Sequence, residues 1–141
     1  MIHFDTSFVI DFLRETSRGE GGPAGALLES LGQDEVAISV FVACELFAGV
    51  ALARRESEER QKVETFCAAL RVRYPDEDFA DSYGRIVGTL RRSGQNAGAM
   101  DILIATAAVR EGARLVTRNE KDFSGVPGLE LISYGSASSR V

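Results

Sequence analysis

Two rhythms of apolar and polar positions run along the chain. Short runs rich in β-branched and aromatic residues, IHFD at 2–5, VAISV at 36–40, RVRYP at 71–75, ARLVT at 113–117 and LELIS at 129–133, read as strands. Between them apolar residues recur at helical spacing. Thr6 or Ser7 offers an N-cap before a face of Phe8, Phe12 and Leu13, and Pro23 opens a helix through Leu31 that Gly32 stops. Longer helical patterns cover FVACELFAGVALARR at 41–55, Glu58 to Leu70, DEDFADSYGRIVGTLRRSG at 76–94 and AMDILIATAAVREG at 99–112. The mixed-charge run RRESEERQK reads as a solvated turn between helices, TRNEKDF as a loop, and Pro127-Gly128 as a turn.

Strands alternating with helices specify an α/β fold, a parallel sheet with helices on both faces and right-handed crossovers. With 141 residues the chain fits one domain, expected over 1–133, with a disordered Ser-rich tail over 134–141. In such a sheet ligands gather outside the carboxyl ends of the strands.

Against this pattern several acids fall out of register. Asp101 shares its helical face with Ala97, Ile104, Ala105 and Ala108, which is the apolar face. Glu45 falls beside Phe41, Val42, Ala48, Gly49 and Leu52, the side expected to meet the sheet. Neither acid has an Arg or Lys at i±3 or i±4, and an ionised carboxylate buried without a partner costs several kcal/mol. Asp5 closes the first strand, so its carboxylate projects from the same sheet edge, where Asn119 and Asp122 lie on the loop after the fourth strand. Carboxylates converging there would repel one another, and a divalent cation resolves the conflict. Carboxylate and amide oxygens are hard donors suited to Mg²⁺ or Mn²⁺, whereas zinc is disfavoured because His3 is the only histidine. His3 itself reads as a structural strand residue.

Composition changes this picture little. A net charge of −5 argues against a protein that coats nucleic acid through a basic surface, although 14 of the 16 basic residues are Arg, whose planar fork suits phosphate. Arg14, Arg91, Arg92 and Arg118 are candidates for such contacts. Cys44 and Cys67 have no metal-ligand spacing and read as buried thiols. No apolar run reaches the ~18 residues of a transmembrane helix, and no leader-like pattern opens the chain, so a cytoplasmic location without membrane contact is expected.

The segments HFDTSFVIDFLR, SVFVACELFAGV, MDILIATAAVREGARLVTRN and KDF resemble, in order and spacing, the PIN-domain ribonucleases, and among them the VapC-type toxins of prokaryotic toxin–antitoxin pairs. The resemblance spans Ile2 to about Ser133. It implies a five-stranded parallel sheet, a homodimer, and a cognate antitoxin whose C-terminal segment blocks the active-site groove. The family's three firm acids fall on Asp5, Glu45 and Asp101. Its fourth position falls on Asn119, where many members carry aspartate, with Asp122 three residues later as the other candidate. Thr6 and Thr117 would support the site through their hydroxyls.

The activity so implied is Mg²⁺-dependent endoribonucleolytic cleavage by an activated water, leaving 5′-phosphate and 3′-hydroxyl ends. Single-stranded or looped RNA is the expected target, because only unstacked bases can be read by side chains. Two alternatives stand beside it. One is a PIN-like RNA-binding module without cleavage. The other is an aspartate-based phosphohydrolase, which would want a second aspartate where this chain has Ser7.

Overall fold

A computed structural model describes residues 1–134. The strands are β1 (Ile2–Phe4), β2 (Val36–Ser39), β3 (Arg71–Arg73), β4 (Arg114–Thr117) and β5 (Leu131–Ser133). The helices are α1 (Thr6–Arg18), α2 (Pro23–Ser30), α3 (Val40–Leu52), α4 (Glu56–Ala69), α5 (Phe79–Arg92), α6 (Ala99–Arg110) and α7 (Glu120–Phe123). The sheet is parallel throughout, in the order β3-β2-β1-β4-β5, with His3 opposite Ala37 on one side and Leu115 on the other.

β1 is central and buried along its length, which accounts for the large apolar Ile2 and Phe4 on either side of His3. Right-handed crossovers put α1 to α4 on one face and α5 and α6 on the other, because the chain steps outward from β1 to β3 and then returns across to β4. The connections leaving β1 and β4 therefore diverge, and the crevice for a ligand opens between their carboxyl ends. Aromatic packing anchors the first face. The Phe8 ring lies 4.5 Å from Phe4 and meets Tyr134 edge-on at 5.1 Å. Arrangements of this kind add about 0.5–1.5 kcal/mol per pair beyond area burial.

Helix ends follow the expected chemistry in most places. Pro23 sits in the first turn of α2, and Gly94 at φ 79° and Gly112 at φ 62° turn the chain out of α5 and α6 in the left-handed region. Three expectations need correction. The N-cap of α1 is Asp5 rather than Thr6 or Ser7. TRNEKDF contains the short helix α7, and the acidic run from Glu56 is already the first turns of α4. Of the proposed tail, Tyr134 is buried; residues 135–141 lie outside the described residues. No described helix is long and apolar enough to cross a membrane.

Candidate active site

Asp5 has extended backbone, φ −77° and ψ 160°, which lets its Oδ1 accept from the Thr6 amide at 2.7 Å while the chain enters α1. Its Oδ2 accepts from Ser7 Oγ at 3.0 Å and Thr117 Oγ1 at 2.7 Å. The carboxylate is only 4% exposed, and the backbone ladder fixes its height, since the Asp5 amide donates to the Val116 carbonyl at 2.9 Å. Thr117, fully buried at the end of β4, also accepts from the Asn119 amide at 2.9 Å and so shapes the following loop. Ser7 adds a second tie, accepting from the Arg118 amide at 3.2 Å.

Ser39 caps α3 and starts it at the carboxyl edge of β2, which delivers Glu45 to the crevice. Thr6 Oγ1 donates to Glu45 Oε1, joining the first turn of α1 to α3. The buried face of α3 is Val42, Ala43, Leu46 and Val50; Ala48, Gly49 and Leu52 are exposed. Glu45 therefore stands at the border of that face, not facing the sheet as its register implied. Cys44 is exposed and Cys67 half-buried, so the expectation of buried thiols fails for Cys44. An all-apolar helix carries no internal marker of which side faces in.

Asp101 lies in the first turn of α6, with Ile104, Ala105 and Ala108 buried on its face as counted from the sequence. Burial, and then the charges of Asp122, Asp5 and Glu45, push its carboxyl up from 3.8 to about 6. Three acids from elsewhere in the chain thus act on one group. Asp122 reaches the cluster from α7, while Asn119, the residue before that helix, is exposed and caps nothing with its side chain.

This donor set is all oxygen, hard, and of one charge sign, which fits a divalent cation and neither zinc nor a soft metal. With the Asp5 oxygens turned to Thr6, Ser7 and Thr117, no three His, Cys, Asp or Glu side chains among the described residues enclose a metal position. The acids couple through space without sharing a ligand sphere. The side chains bordering this edge that sequence reading missed are Ser7, Asp11 and Tyr134. Asp11 accepts from Arg118 Nη1 at 2.7 Å and from the Tyr134 hydroxyl at 2.7 Å, so Arg118 is held in an internal ion pair. Partners more than 100 positions apart leave no local trace.

The PIN domain family model matches residues 2–129. The chain is 35% identical to Ribonuclease VapC19 of Mycobacterium tuberculosis, covering 89% of this chain and 94% of that one. It is 33% identical to Ribonuclease VapC2 of Rickettsia felis, over 76% and 81% of the two chains. Among solved structures it resembles VapBC2 from Rickettsia felis bound to a DNA fragment from their promoter, with TM-score 0.84, 28% identity, and coverage of 94% and 98%. It also resembles VapBC-1 from nontypeable Haemophilus influenzae, with TM-score 0.80, 25% identity and the same coverage.

Proposed function

The chain belongs to the PIN-domain family, and from that premise we propose that it is a metal-dependent endoribonuclease acting as the toxin of a toxin–antitoxin pair. The observation that carries this reading is the convergence on Asp101, whose raised pKa registers Asp122, Asp5 and Glu45 at one sheet edge. Relatives named ribonuclease across most of the chain support the activity. Neighbours solved as VapBC complexes support a protein antitoxin as partner. The same reading takes a homodimer as the working form and residues 1–133 as the catalytic domain.

Asp5, Glu45 and Asp101 would hold Mg²⁺ or Mn²⁺, with Asn119 or Asp122 completing the set. When bound, such a cation would supply the positive charge that polarises a scissile phosphodiester and lowers the pKa of a water. Thr6, Ser7 and Thr117 keep the carboxylates of Asp5 and Glu45 in place through the hydroxyl bonds described above. Asp101, raised to about 6 by burial and the neighbouring acids while the site holds no cation, would give up its proton when the cation is bound, so binding should tighten as pH rises. Attack by water leaves 5′-phosphate and 3′-hydroxyl ends.

Incubating the purified chain with bacterial RNA, with Mg²⁺ or Mn²⁺ against excess chelator, and mapping the ends tests the proposal. Cleavage only with the cation and 5′-phosphate ends are expected. Full activity in chelator, or 2′,3′-cyclic phosphate ends, refutes it, and RNA binding without cleavage would leave a PIN-fold binding module.

A further inference from the structure

Two open grooves flank α1, and the same two arginines line both. One groove, of about 670 Å³, lies toward the end of β4 and is bordered by Arg118 and Asn119. The other, of about 470 Å³, is bordered by Glu45 and Lys62. Arg14 and Arg18, exposed and one helical turn apart, stand on the ridge between them. The two grooves thus begin at candidate site residues, Asn119 on one side and Glu45 on the other.

The charges around these arginines are already committed elsewhere. Asp11 is bound to Arg118 and Tyr134. Glu15 accepts from the amides of Ala24 and Gly25, both at 2.9 Å, and so caps the start of α2. Glu59 pairs with Lys62 at 3.2 Å. Arg14 and Arg18 make no ion pair or hydrogen bond with any described residue, and Glu20 is the one uncommitted acid lining their grooves besides Glu45. Two like charges at i,i+4 repel, and although the helix dipole favours Arg18 in the last turn of α1, an anion meeting both would relieve that repulsion. Guanidinium forks match phosphate oxygens two at a time.

We infer that Arg14 and Arg18 form a backbone clamp for single-stranded RNA, gripping phosphates beside the acidic cluster so that the strand crosses α1 from one groove to the other. This rests on the ribonuclease reading of that cluster. The arginines bind by charge, so they set affinity and register along the strand without reading base sequence. The grooves that carry the strand meet at their ridge.

The test is anisotropy binding of a fluorescein-labelled oligouridylate in chelator across a salt series, paired with divalent-dependent cleavage of bacterial RNA. The variants are Arg14→Gln with Arg18→Gln, the conservative Arg14→Lys with Arg18→Lys, and a charge-matched control, Arg54→Gln with Arg55→Gln, whose residues line neither groove. Single-strand binding loses roughly 0.7 in the slope of log K against log salt per phosphate contact, so the glutamine pair is expected to lower the slope by about 1.4. About a tenfold weaker affinity at low salt should accompany it. The lysine pair should restore most of the slope and the control pair should keep it. A slope equal to the parent's, an equal loss in the control, or no salt-dependent binding by the parent overturns the clamp. So does competition by polyglutamate but not by unlabelled oligouridylate, which would give the ridge to an acidic protein segment. Arginine-dependent binding without cleavage by the parent would instead overturn the ribonuclease reading and leave the clamp standing.

Discussion

Two polar groups lie beneath the surface on β1 and its continuation, two residues apart, and they are built differently. Around His3, which is 1% exposed, Nε2 meets Glu111 Oε1 at 2.7 Å, and Arg73 Nε donates to the other Glu111 oxygen at 2.5 Å. Burial holds the His3 imidazole below its usual value, against the pull of Glu111, so it is neutral and donates through Nε2. Burial also raises the Glu111 carboxyl, but hydrogen bonds from His3 and Arg73 outweigh it and hold the group low. One cation, one anion and one neutral ring balance there, with only His3 Nδ1 lacking a partner. Around Asp5, four acids face one another with hydroxyls and amides for company and, among the described residues, no cation as a hydrogen-bond partner. The first group closes its charge internally; the second leaves its charge open, to be relieved by a proton on Asp101 or by a cation.

The sharpest way to break that contrast is Asp101→Asn. Losing a group that merely supports a metal ligand costs about 10–100-fold, so removing a ligand should lower cleavage by at least about a hundredfold. Thermal stability without metal should hold or rise, because one of four repelling charges is gone. Cleavage near the parent rate would show that Asp101 is no ligand.

The contrast was half legible in the sequence. Asp101 stood out because α6 has a clear buried face of Ile104, Ala105 and Ala108 against which one acid is conspicuous. Asp5 stood out because it closes the first strand and so projects from the sheet's carboxyl edge. Glu45 was found, but its orientation was misjudged, since VFVACELFAGVAL is apolar on every side and its exposed Gly49 and Leu52 look like core. The helix α7 escaped because EKDF offers a single apolar residue, Phe123, too little to show a period. Ser7, Asp11 and Tyr134 escaped because the loop after β4 and the end of β5 meet α1 only in three dimensions. Glu111 was likewise invisible as the partner of His3, 108 positions away.

The closed network should answer to mutation in the opposite way. Glu111→Ala leaves the buried His3 donor and the Arg73 guanidinium without their acceptor, and an unsatisfied buried donor costs about 1–3 kcal/mol. Denaturant midpoints should fall accordingly while kcat is kept. A variant that loses cleavage but not stability would place His3 and Glu111 in the chemistry and erase the contrast.

Acidity separates the two groups more gently. The Asp101 value is raised in the fold, so its stabilisation is present below 3.8 and is lost as pH rises through about 6. The His3 value is lowered, so its contribution is present above 6.5 and is lost as pH falls. In chelator, the melting temperature of Asp101→Asn should therefore gain on the parent between about pH 4 and pH 7, with saturating Mg²⁺ closing the gap. A gap independent of pH would mean the acids do not sense one another.

The smallest effect concerns the fourth ligand, and here the two candidates differ in kind. Asp122 is the charge with the largest influence on Asp101, whereas Asn119 brings a neutral amide and contributes nothing to that shift. If the cation is drawn by charge, Asp122→Asn should weaken Mg²⁺ binding by about tenfold and bring Asp101 back toward its ordinary value. Asn119→Ala should change affinity less, by about two- to threefold, because an exposed amide supplies an oxygen but no field. Isothermal titration of both variants reads the order directly. The reverse order would mean that the cation sits toward the end of β4, held by reach rather than by charge.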